Sequence, residues 1–129
     1  MAAWPITLAI LGGLALLGAG LYWELIVAEG AHLGPRVVIW LYDLVALRYE
    51  RIKKFQINLD DNYLGYPLSA TLVSVETPRV LDVAAGTGRV ARSLLRQVAF
   101  DGAVFNVELS VRMLGEGRRL TARDRRAHV

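Results

Sequence analysis

One apolar run fills the start of the chain, and short alternating segments fill the rest. From Ala2 to Trp23 no side chain is charged. A helix of that length rises roughly 30 Å, enough to cross the hydrocarbon core of a bilayer. The pattern predicts a transmembrane anchor over residues 1–30. Trp4 lies near one end, and Tyr22 with Trp23 near the other, where amphipathic rings favour the headgroup level. Gly12, Gly13, Gly18 and Gly20 would weaken a helix in water, but in lipid small residues let helices approach closely. Gly12, Leu16 and Gly20 share a face, which suggests packing against other membrane subunits; the competing explanation is that glycine is simply common in membrane helices. A cleaved signal peptide fits less well, because no basic residue precedes the run and the run outlasts a signal-peptide core.

A second apolar stretch, Val37 to Leu47, follows Gly34 and Pro35 and is interrupted by Asp43. At about eleven residues it is too short to span. It continues into Arg48, Arg51, Lys53 and Lys54. Residues 31–57 therefore read as a linker or interfacial helix, with Trp40 and Tyr42 dipping into lipid and the basic end facing phosphates. An ordinary buried helix of the soluble part is the equal alternative.

Residues 58–129 carry the strand and helix signals. Arg79 to Ala84 reads as a parallel strand, apolar on both faces as a strand covered by helices on both sides must be. Ala85-Gly86-Thr87-Gly88 follows as a turn. In Arg89 to Val98 the residues Val90, Ala91, Leu94, Leu95 and Val98 form an apolar face, and Arg89, Arg92 and Arg96 the opposite one. Asp101-Gly102 marks a turn, Ala103 to Glu108 a second strand, and Ser110 caps a further helix through Met113 and Leu114. The fold class is α/β: a single transmembrane helix followed by a βαβα unit with a right-handed crossover. After Leu120 no apolar run predicts a third strand, so the expected sheet has two strands and a long exposed edge.

Composition narrows the chemistry. With 129 residues there is room for one small domain beside the anchor. The absence of cysteine excludes disulfides and thiolate metal sites and fits a reducing compartment. His32 and His128 do not make a histidine-rich site, so no metal is expected. The net charge of +3 is unevenly spread: no Lys or Arg precedes Arg36, whereas Arg112, Arg118, Arg119, Arg123, Arg125 and Arg126 crowd the end. That tail reads as a solvated helix face and terminus, or as a contact for anionic lipid or an acidic partner. No aromatic residue is interleaved there for base stacking, so no specific nucleic acid is expected. The basic residues after the span place the carboxy-terminal part in the cytoplasm of a single-pass protein of the cell membrane.

The strand, glycine turn, helix and second strand offer what a nucleoside ligand needs: glycines where side chains would block it, a helix amino terminus, and an acid at the next strand's end for ribose hydroxyls. Glu108 lies twenty residues after Gly88, the spacing of that acid. Gly86-Thr87-Gly88-Arg89-Val90-Ala91 alone satisfies the dinucleotide pattern. Asp82 argues against it, because an acid before the glycines repels a pyrophosphate but welcomes a cationic sulfonium bearing an amino group.

Val80-Leu81-Asp82-Val83-Ala84-Ala85-Gly86-Thr87-Gly88-Arg89 resembles the first motif of class I S-adenosylmethionine-dependent methyltransferases, in the branch of ubiquinone and menaquinone biosynthesis enzymes. Asn106-Val107-Glu108-Leu109-Ser110-Val111-Arg112-Met113-Leu114 is similar to that branch's second motif. Tyr42-Asp43 and Arg48-Tyr49-Glu50-Arg51-Ile52 resemble its lead-in, so the likeness runs from Tyr42 to Leu120. It implies a partial Rossmann-like fold with S-adenosylmethionine as cofactor. Asp82 and the backbone at Ala84, Gly86 and Gly88 would line the methionine end, and Glu108 would bind the ribose. Ala84 stands where many members have glycine. No catalytic residue is implied, because the later strands that bring the adenine-contacting acid and the substrate loop have no counterpart here. Two functions are therefore expected. One is a methyltransferase-like accessory subunit, inactive or incomplete, of a larger respiratory or photosynthetic membrane complex. The other is an active methyltransferase with a lipid-soluble acceptor such as a quinone precursor.

Overall fold

A computed structural model describes residues 4–28, 30 and 32–129. The chain divides into two compact units, 1–38 and 39–129.

The first unit is dominated by α1 (Trp4–Tyr22), continued by a π-helical turn over Trp23–Val27. Together they form one apolar helix of 24 residues with mean hydropathy 1.8 and no buried position. It is long enough to cross a membrane, and no other helix among the described residues is. An added Cβ at Gly12, Gly13, Gly18 or Gly20 would meet nothing within 4 Å. Within the π turn, Glu24 accepts the His32 backbone N–H and faces the His32 ring Nδ1, each at 3.0 Å.

The second unit is α/β. After α2 (Pro35–Val45), which crosses the division, come a 3-10 turn (Ala46–Arg48), α3 (Tyr49–Lys53), α4 (Ile57–Asp60), a π turn (Asp61–Gly65) and α5 (Tyr66–Leu72). The sheet region follows as β1 (Arg79–Val83), α6 (Arg89–Leu95), β2 (Ala103–Val107), α7 (Val111–Thr121) and β3 (Ala127–His128). Strand order is β1-β2-β3, all parallel. Ala91, Leu94, Leu95, Phe100 and Val104 form the buried core between α6 and one sheet face, with Leu68, Leu72, Val80 and Ala127 packed around it.

Two expectations need correction. First, the tail contributes a third strand. It pairs Ala127 with Val104 and His128 with Phe105, and Arg126 holds it in place. The Arg126 guanidinium donates to the carbonyls of Phe100 (2.6 Å) and Leu95 (2.7 Å), and Asp124 pairs with it at 2.7 Å. A two-residue strand fixed by an arginine leaves no hydropathy signal. Second, helices cover only one face of the sheet. Leu81 and Val83 are 63% and 68% exposed, and Phe105 and Val107 share their face.

The arginines of α6 are not merely a polar outer face. Arg89 pairs with Asp60, Arg92 with Glu50 and Arg96 with Asp61, and the Arg89 guanidinium lies 4.3 Å over the Phe55 ring. These contacts dock α3 and α4 onto α6. Asp43 of α2 docks similarly on α7, accepting the Ser110 hydroxyl at 2.6 Å and the Arg112 N–H at 3.1 Å. Those donors hold the Asp43 carboxyl below the ordinary carboxylate range.

Candidate functional site

β1 and β2 run in register, Val83 opposite Val107, so both deliver their carboxyl ends to one edge of the sheet. That edge is where open parallel sheets receive ligands. The five residues predicted from sequence, Asp82, Ala84, Gly86, Gly88 and Glu108, all gather there.

The loop after β1 turns through three left-handed residues: Ala84 (φ 58°), Gly86 (56°) and Gly88 (74°). At the two glycines the demand is conformational rather than spatial. An added Cβ would meet Met113 Cε at 3.6 Å or Gly117 Cα at 3.9 Å, ordinary contacts. Ala84 adopts the same conformation without glycine's freedom, a strain of about 1–2 kcal/mol. Offset by glycine's larger unfolded-state entropy, Ala84→Gly is expected to stabilise the unit by about 0.5–1 kcal/mol, read by chemical denaturation. A destabilised variant would show that the alanine methyl makes a contact outweighing its strain.

Glu108 closes the loop from the second strand. Its Oε2 accepts the Gly86 N–H and its Oε1 accepts the Ser110 N–H, both at 2.9 Å. Each carboxylate oxygen keeps a second lone pair, so acceptor capacity for ligand hydroxyls remains. Ser110 also caps α7 through Met113 N at 3.1 Å. Gly117 lets α7 sit directly on the loop, since a Cβ there would lie 3.1 Å from the Thr87 carbonyl carbon.

Asp82 lies beside Asn106 in the register. The Ala91 backbone N–H, in the first turn of α6, lies close enough to favour its charged form. Asp82 Oδ2 is buried without a partner, and so is Asn106 Oδ1. Burial pushes the Asp82 carboxyl up from its ordinary range; the Ala91 N–H opposes this and the Glu108 charge adds to it. Asn106 escaped the sequence reading as a site residue. Its Nδ2 donates to the His128 carbonyl at 3.2 Å, a partner invisible without the third strand.

Support for the loop comes from far away in sequence. The Thr87 hydroxyl donates to Glu50 Oε1, which also accepts from Arg92 Nη2 at 2.8 Å, while Arg92 Nε reaches the Gly88 carbonyl at 3.3 Å. Glu50 thus fixes both the loop and the helix behind it. The sequence signal for this was only the lead-in resemblance.

The edge offers acceptors: an orphaned carboxylate oxygen at Asp82, an orphaned amide oxygen at Asn106 and spare lone pairs on Glu108. Such a set suits a ligand carrying a cation and hydroxyl donors, and it repels phosphate. Comparison with protein-family models, curated proteins and solved structures finds no match to this chain.

Proposed function

We propose that this chain is a membrane-anchored, methyltransferase-like protein whose β1 and β2 ends hold S-adenosylmethionine on a partial Rossmann-like sheet. The observation that carries the reading is the buried, unpaired Asp82 oxygen beside Glu108 at the mouth of a left-handed loop. Asp82 would take the ligand's ammonium, the backbone at Ala84, Gly86 and Gly88 would lie along its methionine end, and Glu108 would accept the ribose hydroxyls. Bound there, the cofactor would supply an electrophilic methyl group. The strand order supports the reading, since three parallel strands stepping outward from β1 are half of a doubly wound sheet.

The role we favour is an accessory subunit of a larger membrane assembly. The unpartnered Gly12, Leu16 and Gly20 face of α1 suits a neighbouring membrane helix. The basic residues that follow the span favour a cytoplasmic carboxy-terminal unit. The alternative, an active enzyme acting on a lipid-soluble acceptor, is favoured by the anchor itself, which would keep the site close to a bilayer.

Calorimetric titration of the full chain in detergent tests the cofactor reading. S-adenosylmethionine should bind and NAD should not. Glu108→Gln should weaken binding roughly tenfold or more, the worth of hydrogen bonds to a charged group. Binding of NAD alone, or no heat with either ligand, would overturn the reading. Native gels would test the accessory role, which predicts co-migrating subunits after gentle extraction.

A further inference from the structure

The α2 helix packs by one side only. Asp43 is bonded to Ser110 and Arg112 at the start of α7, and Ala46 is 1% exposed. Tyr42 turns the same way, its ring edge-on to Tyr49 with centroids 5.9 Å apart. The other side is bare. Trp40, Leu44 and Leu47 recur at i, i+4 and i+7 and are 61%, 63% and 83% exposed. Trp40 and Tyr42, expected to enter lipid together, lie on different faces. Immediately beyond the apolar stripe stand Arg48, Arg51 and Lys54, all exposed and with no acid paired to them among the described residues. A large apolar stripe ending in unpaired cations is the pattern of a helix lying in a headgroup layer, where rings and aliphatic groups enter the acyl boundary and the cations meet phosphates.

Chain length says what covers this face. Residues 28–34 join the end of the apolar 24-residue helix to α2, a tether of at most about 25 Å. If that helix spans a bilayer, α2 is held within reach of the same surface whatever path the tether takes. We propose that the Trp40, Leu44 and Leu47 face, with Arg48, Arg51 and Lys54, is a second membrane contact that docks the soluble unit on anionic lipid. The contact rests on the anchor reading and is independent of any cofactor. It fixes α2, and through Asp43 and Ser110 it links the lipid surface to the helix that packs on the glycine loop.

Tryptophan fluorescence of the full chain in nanodiscs tests it. With Trp4 and Trp23 changed to Phe, Trp40 is the sole tryptophan. In phosphatidylcholine–phosphatidylglycerol bilayers its emission should be blue-shifted and quenched by lipids brominated near the headgroup end of their chains. Each of Arg48→Gln, Arg51→Gln and Lys54→Gln should lower the docked-to-free ratio roughly fivefold, and omission of the anionic lipid, which removes all three contributions, by roughly a hundredfold. Emission at the position of water-exposed indole would overturn the proposal. So would a blue-shifted emission that brominated lipid leaves unquenched, which would mean a protein covers the face, either a second copy or a partner. A Trp40→Phe chain retaining Trp4 and Trp23 serves as the reference. If its tryptophans are quenched while Trp40 is not, the anchor stands and the surface contact fails. If neither is quenched, both fail.

Discussion

Gly102→Ala is expected to lower the stability of the 39–129 unit by about 3 kcal/mol or more, because overpacking here presses on backbone rather than on a movable side chain. An added Cβ would fall on the Pro78 carbonyl oxygen, 2.7 Å from Pro78 Cγ and 2.9 Å from its carbonyl carbon. That carbonyl accepts the Ala103 N–H at 2.9 Å, the bond that starts the β1–β2 ladder and sets Arg79 opposite Ala103. Relief of the clash therefore means losing the register that brings Asp82 and Glu108 together. A unit of this size has little stability in reserve, so the melting temperature should fall by roughly 10–20 °C. Gly115→Ala is the contrasting control. It sits in α7 with nothing within 4 Å of an added Cβ, and helix propensity should raise stability by about 0.5–1 kcal/mol. Thermal melts of the two variants side by side check both signs; equal effects would mean that the Pro78 contact does not set the register.

Asp82→Asn is expected to raise the stability of the ligand-free chain while removing its affinity for S-adenosylmethionine. A carboxyl whose folded-state pKa is raised binds its proton more tightly in the folded than in the unfolded chain. Its contribution is therefore most favourable below the ordinary carboxylate pKa and is lost as pH rises through the raised value. At neutral pH the wild type holds a partly desolvated charge with one oxygen unpaired; asparagine fills the same space without that charge. The variant should melt higher than wild type at neutral pH, and the gap should close on acidification toward the carboxylate range. Stability surrendered for binding is the expected signature of a ligand site.

Much of this architecture was legible because it rests on local signals. The uncharged run ending at Trp23 and the alternation around Gly86 and Gly88 correspond to the long helix, β1, α6 and β2, with ends shifted by one to three residues where helices stop early. Ser110 as the cap of α7 was equally readable, since capping is decided within three residues. What escaped depends on distant partners. Arg126 looked like tail charge until its target carbonyls at Leu95 and Phe100 were known. Glu50 was marked only by the lead-in resemblance, which says nothing of its partners, yet it ties Thr87 to Arg92. Apolar residues on both sides of β1 implied two covered faces, but composition does not reveal whether a cover is present in the same chain. The positions of Asp82 and Glu108 followed from spacing; the orphaned oxygen did not, because it depends on burial beside Asn106 in three dimensions.

Thermal melting of the wild-type chain and of Asp82→Asn, each with and without S-adenosylmethionine at neutral pH, shows whether Asp82 holds the ligand. The variant should melt higher than wild type without ligand. Saturating ligand should raise wild type alone, by about 2.7 kcal/mol at a hundredfold excess over Kd, or roughly 10–20 °C. A wild type that ligand does not shift, or a variant shifted equally, would contradict that role for Asp82.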